Sequence, residues 1–218
     1  MLFYVFYIFV SLIVVLFVFS LKSSSSISFT SKAEKQGKLG EYKVAKKLKK
    51  LSKTDYIILN DLLLKNGSST TQIDHIVISR YGLFVIETKN YKGWIFGRDY
   101  QEYWTQTLYK NKHKLYNPVK QNQTHIYSLQ RILSDYSHIN YQSIIVFSGE
   151  AKLKKVSSKV PVIYLKDLIK TIKRNREKVC LSDFEMTQIA DKLKATHTNS
   201  KADHRAHVRR IKEKKRVY

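Results

Sequence analysis

The sequence has few of the residues that staple or interrupt a small fold. A single cysteine, Cys180, excludes an intramolecular disulfide and a cysteine-rich zinc site, and is compatible with a reducing compartment. Two prolines and seven glycines in 218 residues argue against a collagen-like or low-complexity chain. Acidic residues are scarce too: 17 Asp and Glu stand against 40 Lys and Arg, a net charge of +23. This charge predicts a polyanionic partner, either nucleic acid or an anionic lipid surface.

Charged residues are absent before Lys22. About 20 apolar residues can cross a bilayer as a helix, so we predict a transmembrane anchor over residues 1–21. A cleaved signal peptide is the alternative, but no basic residue precedes the apolar run and no clear small-residue cleavage site follows it. Because the basic residues all follow this helix, the positive-inside rule predicts a single-pass membrane protein with the bulk of the chain in the cytoplasm.

The rest of the chain divides into three parts. Residues 22–35 are serine-rich and predict a linker. Residues 36–195 alternate helical and strand patterns, which predicts an α/β domain with a central mixed sheet flanked by helices. Residues 196–218 form a basic tail, which we expect to be solvated and partly disordered. Such a tail can also contact phosphates or anionic lipid head groups.

Periodicity and turn residues place the elements of the α/β domain. A first helix over 36–52 has an apolar stripe of Leu39, Val44, Leu48 and Leu51. Asn117-Pro118 is a favourable helix start, with Asn as the cap and Pro in the first turn. A hairpin is predicted over 72–89. The other predicted elements are strands at 56–59, 94–96, 102–104, 143–147 and 162–165, and helices at 118–133, 166–174 and 182–195.

Three charges interrupt the apolar hairpin "IDHIVISRYGLFVIETKN" over residues 73–90. Side chains alternate between the faces of a strand, so Asp74 can lie near Glu87 across the ladder, and Lys89 projects to the same face as Glu87. Two adjacent carboxylates repel unless a cation separates them, and Mg²⁺ takes oxygen ligands of this kind. Lys89 can hold or deprotonate a water there, or steady charge on a phosphoryl group.

Each of these residues also has a structural interpretation. Asp74 and Lys89 can form a cross-strand salt bridge, worth at most about 1 kcal/mol on an exposed face. Glu41 lies at the edge of the first helix's apolar stripe, and Gln121 lies near the helix start where exposed N–H groups favour an anion. Both can instead be ordinary helix-surface residues. His75 points away from Asp74 and is predicted to be a packed core histidine.

This ordered set of motifs resembles the NERD family, the nuclease-related domain, within the PD-(D/E)xK restriction-endonuclease-like group. The resemblance is clearest over residues 36–135. The matching segments are Gly40-Glu41, "QIDHIVIS" (72–79), "FVIETKNYKG" (84–93), "YWTQ" (103–106) and "NPVKQ" (117–121).

The resemblance implies a restriction-endonuclease-like fold with a phosphodiesterase centre that depends on Mg²⁺, with Mn²⁺ as a substitute. It implies that Asp74 and Glu87 are metal ligands and that Lys89 activates or orients the attacking water. It implies supporting roles for Glu41 and Gln121. All five are therefore candidate catalytic residues.

Aromatic and basic residues alternate over residues 90–116. One interpretation is a sheet edge with aromatic residues in the core and lysines in solvent. The other is a groove wall on which bases stack while basic side chains contact phosphates. It predicts nucleic-acid contacts by Lys92, Arg98, Lys110, Lys112 and Lys114.

The sequence therefore predicts a membrane-anchored, Mg²⁺-dependent nuclease that hydrolyses the phosphodiester bonds of DNA, with RNA as the second candidate. Two alternatives stay open. One is a non-catalytic nucleic-acid-binding module tethered to the membrane. The other is a membrane-surface scaffold whose basic tail contacts anionic lipid. A homodimer is a further open possibility.

Overall fold

A computed structural model of the protein describes residues 32–67, 69–176 and 178–216. The predicted anchor over 1–21 and residues 22–31 of the predicted linker lie outside the described residues. Within the described ranges, no helix is long and apolar enough to cross a bilayer.

The described chain alternates helices with strands, as the periodicity predicts. The helices are α1 (Lys32–Leu48), α2 (Pro118–Ile132), α3 (Leu168–Arg174), α4 (Asp183–Thr196) and α5 (Lys201–Arg216). A 3-10 turn (Leu165–Asp167) precedes α3. The strands are β1 (Tyr56–Asn66), β2 (Ser69–Ser79), β3 (Gly82–Lys89), β4 (Lys92–Arg98), β5 (Tyr103–Leu108), β6 (Asn111–Tyr116), β7 (Tyr141–Phe147), β8 (Glu150–Ser157) and β9 (Val162–Tyr164).

The strands form two mixed sheets. The first has the order β1-β2-β3-β7-β9, in which β1, β2 and β3 pair antiparallel and β3, β7 and β9 pair parallel. The second has the order β6-β5-β4-β8, with β8 parallel to β4 and the other pairs antiparallel. The predicted mixed α/β class is confirmed. The prediction of one central sheet is wrong, because the chain leaves the first sheet after β3 and β4 belongs to a second sheet.

The first sheet is covered on both faces. On one face, Ile76 and Val85 pack in a cluster that includes Leu129 of α2 and Ile189 of α4. On the other face, Phe84 packs in a cluster with residues of α1 and α3. Two-sided burial explains the near-continuous apolar runs of β2 and β3. In α1, Val44 and Leu48 are buried but Leu39 is half exposed, so Leu39 does not belong to the predicted stripe.

The second sheet has a single buried face. Ile95, Trp104 and Leu115 pack there against Phe147 of the first sheet. Gly97 lies against the Trp104 ring, and a Cβ added to it would lie 2.2 Å from Cγ of Trp104. The small residue at position 97 therefore makes room for the largest side chain of this core.

The C-terminal segment is more ordered than its charge suggests. Lys201–Arg216 form helix α5, within the segment where the sequence predicts a partly disordered tail. Nδ1 of His207 lies 3.0 Å from Oγ1 of Thr70, and an η-nitrogen of Arg210 donates to the same oxygen at 2.7 Å. Lys65 pairs with Asp203 at 3.1 Å. These contacts with residues 65 and 70 are remote in sequence, which is why a local charge pattern does not predict them.

Candidate active site

The β2–β3 register brings two of the hairpin carboxylates together. His75 and Ile86 form the last pair of the antiparallel ladder, and Asp74 and Glu87 are the next residues outward on the two strands. Oδ2 of Asp74 accepts a hydrogen bond of 2.8 Å from the backbone N–H of Thr88. Gly82 follows the turn between the strands and pairs with Ser79. Its φ of 111° is accessible to few residues other than glycine.

Glu87 is the buried centre of the cluster. Its side chain is 3% exposed, and its Oε1 accepts a 2.7 Å hydrogen bond from Nζ of Lys89. Its Oε2 lies 3.3 Å from Nε2 of His125, without a hydrogen bond between the two atoms. Burial alone would raise the pKa of Glu87, but Lys89 and His125 outweigh burial and lower the pKa to about 2. Glu87 is therefore a carboxylate at any physiological pH.

Lys89 is held between two acceptors. Besides Glu87, its Nζ donates to Oε1 of Gln121 at 2.9 Å. Burial opposes the ammonium form, but the charge of Glu87 prevails and raises the pKa of Lys89 above its usual value. A lysine in this arrangement stays protonated near neutral pH. It can donate hydrogen bonds and stabilise negative charge, but it cannot take a proton from a water.

Two further carboxyl groups, those of Glu41 and Asp74, lie near the ion pair of Glu87 and Lys89. Helix α1 carries Glu41. The helix packs closely at Gly40, which has no side chain; an added Cβ there would lie 2.8 Å from Oγ of Ser148. Burial raises the pKa of Glu41, and the charges of Asp61 and Glu87 raise it further. Burial likewise raises the pKa of Asp74 well above its usual value, with the charges of Glu87 and Glu41 adding to the effect.

This site therefore brings the carboxyl groups of Glu41, Asp74 and Glu87 near one buried lysine, Lys89. Among the described residues, no group of three or more His, Cys, Asp or Glu side chains has the arrangement of a metal site. The carboxylates that neighbouring strands contribute are Asp74 of β2 and Glu87 of β3.

The sequence did not identify His125 as a site residue. It lies four residues after Gln121 on α2, so both side chains point from the same face of the helix. Nδ1 of His125 is hydrogen-bonded to Oγ1 of Thr71 at 2.8 Å. The i, i+4 spacing from a candidate residue is the signal that could have found it. Asp61, hydrogen-bonded to Gln72 at 2.7 Å, had no such signal.

His75 is buried on the other side of β2. Its Nδ1 lies 2.8 Å from Oδ1 of Asn60. Burial lowers the pKa of His75 to about 4, so the ring is neutral at physiological pH. The prediction of a packed core histidine is confirmed.

The five predicted nucleic-acid contacts lie on the second sheet, whereas the carboxylates lie on the first. Lys112 and Lys114 are exposed on β6, and Lys110 is in the β5–β6 turn. Lys92 forms an exposed ion pair with Glu150 at 3.0 Å, and Arg98 donates to the hydroxyl of Tyr100 at 3.1 Å. Of the aromatic residues, Trp104 is core, whereas Trp94, Tyr100, Tyr109 and Tyr116 are exposed. Nucleic-acid contact by this segment stays a prediction.

The family model for the nuclease-related domain, NERD, matches residues 36–148, more than half of the chain, and this stretch contains all five candidate catalytic residues. An uncharacterized protein from Bacillus anthracis is 33% identical over 165 residues, which cover 74% of this chain and 76% of that relative. No solved structure gives a significant match. The chain is a member of the NERD, or nuclease-related domain, family.

Proposed function

We propose that this protein is a nuclease that hydrolyses phosphodiester bonds, with DNA as the favoured substrate and RNA as the second. The observation that carries the proposal is the cluster of Asp74 and Glu87 with a lysine held at 2.7 Å from Glu87, inside the region that matches the nuclease-related domain. A restriction-endonuclease-like arrangement of the core is part of the same proposal. The order of α1, the β1–β3 meander, α2 and the parallel strand β7 supports it.

The donor chemistry supports a divalent cation as cofactor. Oε2 of Glu87 is buried and has no hydrogen-bond partner among the described residues. Burial, with the charges of Glu87 and Glu41 adding to it, raises the pKa of Asp74, and a cation bound between the carboxylates would offset these effects. Asp74 and Glu87 would hold the ion, and Mg²⁺ needs only one or two protein carboxylates beside water and phosphate oxygens. When bound, Mg²⁺ or Mn²⁺ would lower the pKa of a coordinated water and neutralise negative charge on the phosphoryl group.

The chain's own residues have separate roles in this proposal. Lys89 stays protonated, so it orients the attacking water or donates to a phosphate oxygen as negative charge develops. Gln121 holds Lys89 in position through its Oε1. Glu41 adds a third carboxylate on the α1 side. Asp74 and Glu87 remain the only residues to which we assign metal ligation.

We also propose, from the sequence pattern alone, that residues 1–21 anchor the protein in a membrane with the nuclease domain in the cytoplasm. The anchor would restrict the enzyme to nucleic acid near the membrane surface.

Hydrolysis by the full chain in detergent tests the proposal. The substrates are labelled single- and double-stranded DNA and RNA, with Mg²⁺, Mn²⁺ or EDTA. We expect metal-dependent cleavage that is lost in Asp74→Asn and Glu87→Gln. Asp191→Asn is the matched control, because Asp191 is exposed on α4 and pairs with Lys194 at the helix surface. Undiminished cleavage in both site variants would contradict the proposal.

One observation favours a second function. Lys89 already neutralises one oxygen of Glu87 without any metal, as in a purely structural ion pair. A non-catalytic nucleic-acid-binding module would therefore be stable with the same residues. Binding that is independent of Mg²⁺, steeply salt-dependent and never followed by cleavage would support this alternative.

A further inference from the structure

We propose that the open face of the second sheet binds single-stranded nucleic acid, with unpaired bases stacked on its aromatic rings and phosphates contacted by lysines at both of its edges. The open face is the side of β4, β5, β6 and β8 that carries Trp94, Tyr103, Lys114, Tyr116, Lys152 and Lys155. The proposal deepens the proposed function, because it states that the substrate is single-stranded. To that extent it rests on the proposed function.

Strand alternation assigns these residues to one face. Trp94 pairs with Thr107 on β5 and with Lys152 on β8, and Thr107 pairs with Lys112 on β6. Paired residues share a face, and the residues between them form the core around Trp104. Trp94 is 49% exposed and Tyr116 is 43% exposed, so their rings are accessible. Four strands span about 14 Å from edge to edge, at about 4.8 Å per spacing.

Charge at this sheet is almost entirely positive. Lys112 and Lys114 lie on the outer strand β6, and Lys152 and Lys155 lie on the opposite outer strand β8. The sequences of the four strands contain one acid, Glu150, which pairs with a lysine of β4. An extended phosphate chain could therefore cross the face from one edge to the other and meet a lysine at each side.

Rings and ammonium groups are placed together on this face. Nζ of Lys114 lies 5.6 Å from the ring centroid of Tyr103, whose ring meets that of Tyr116 edge to face at 6.0 Å. Nζ of Lys154 lies 5.0 Å from the ring centroid of Trp94, next to a register shift between β4 and β8. A nucleotide presents a flat base beside a phosphate, which matches a ring beside an ammonium group. In a duplex the bases stack on each other, so the match favours an unpaired strand.

The open face is linked to the candidate active site by short connections. Lys89 ends β3, and Lys92 begins β4 three residues later. The buried side chain of Asn117 caps α2 and donates from Nδ2 to the backbone oxygens of Asp99 and Gln101, at 2.9 and 2.6 Å. The helix that carries Gln121 is thereby tied to the turn between β4 and β5. A nucleic-acid strand bound on this sheet therefore lies on elements that are directly connected to those that carry the active-site residues.

The test is fluorescence anisotropy of the full chain in detergent, with a labelled 20-nucleotide DNA or RNA strand and the matching duplexes, in EDTA so that no cleavage occurs. We expect tighter binding of the single strand than of the duplex. Trp94→Ala should weaken single-strand binding by about tenfold and leave duplex binding unchanged, whereas Trp94→Phe should retain most of the affinity. Lys152→Gln should weaken binding of both and reduce the salt dependence by about one ion.

Matched controls lie on α3 and α4, the helices that pack against the first sheet. Phe184→Ala removes an exposed ring from α4, and Lys170→Gln removes an exposed lysine from α3; neither should change the affinity. Equal or tighter binding of the duplex would overturn the proposal, as would an unchanged single-strand Kd in Trp94→Ala or the absence of any binding. Full displacement of the strand by phosphatidylserine vesicles would assign the face to lipid instead.

Binding and cleavage fail separately in this design. Single-strand binding in EDTA without cleavage in Mg²⁺ would remove the proposed nuclease activity and keep the open face as a binding surface. Cleavage of single strands with the same KM in wild type and Trp94→Ala would keep the proposed nuclease activity and remove the open face as a binding surface.

Discussion

The two sheets are built from similar strands but differ in how many faces they bury. The first sheet is covered on both faces, so its few charged residues are confined to one end and must find partners there. The second sheet buries only the face around Trp104, and its other face keeps lysines and rings in solvent. Two-sided burial concentrates charge into a site suited to chemistry, whereas one-sided burial leaves a surface suited to binding. Substitutions in each sheet can test this contrast.

The largest effect is expected at the buried ion pair of the first sheet. Glu87→Ala leaves Lys89 buried without its carboxylate, and this should lower the free energy of unfolding by about 3–5 kcal/mol. The double variant with Lys89→Met should regain most of the stability while remaining inactive. Denaturant unfolding monitored by circular dichroism measures both. A loss below about 1 kcal/mol in the single variant would show that the pair is weakly desolvated.

In the second sheet, the close packing at Gly97 predicts the next largest effect. Gly97→Ala places a Cβ against the Trp104 ring, and overpacking of this kind costs about 1–3 kcal/mol. Tryptophan fluorescence should report the displaced ring during unfolding. Gly37→Ala is the control, since Gly37 like Gly97 has no positive φ and an added Cβ would come no closer than 3.9 Å, to Oε1 of Glu41. Equal losses in the two variants would contradict the packing at Trp104.

At Asp74, stability and activity should change in opposite directions. Its raised pKa means that the carboxylate destabilises the fold at neutral pH, so Asp74→Asn should raise Tm by a few degrees, at about 2–4 °C per kcal/mol. Mg²⁺ should raise the Tm of the wild type and not that of the variant. Differential scanning fluorimetry measures both shifts.

The sign of the pH effect follows from the same pKa. A group whose pKa is raised on folding favours the folded state when protonated, so the wild type should gain on Asp74→Asn as the pH falls through the folded-state pKa. Below the ordinary value of 3.8 both states carry the proton, and the Tm difference should close. A difference that stays constant down to that pH would mean that Asp74 is not the group responsible.

The smallest expected effect lies at the tip of the second sheet. Tyr109 is fully exposed in the β5–β6 turn, with a φ of 53° that is unfavourable for a residue with a Cβ. Tyr109→Gly should therefore raise the free energy of unfolding by about 1 kcal/mol. Tyr109→Ala keeps the strain and should show no gain. A loss of stability in the glycine variant would indicate that the exposed ring makes a stabilising contact.

Local pattern predicted the parts of the fold whose signals lie close together in the sequence. The helix start at Asn117-Pro118 follows from a cap and a proline, and Oδ1 of Asn117 accepts from the N–H of Val119 at 2.9 Å. The hairpin pairing of Asp74 with Glu87 follows from strand parity and a short turn. Strands β6 and β8 were not predicted. β6 is almost entirely polar, and in β8 a register shift after Leu153 interrupts the alternation of Ala151, Leu153 and Val156.

By itself, the sequence determined the mixed α/β class, the family resemblance and the hairpin that carries Asp74, Glu87 and Lys89, because each depends on residues adjacent along the chain or across one turn. Only the tertiary structure decided that the sheet divides in two, that His125 contacts Glu87, and that the basic C-terminal segment is a helix against β2. Those outcomes depend on contacts between segments tens of residues apart, where burial and pairing free energies outweigh local propensity.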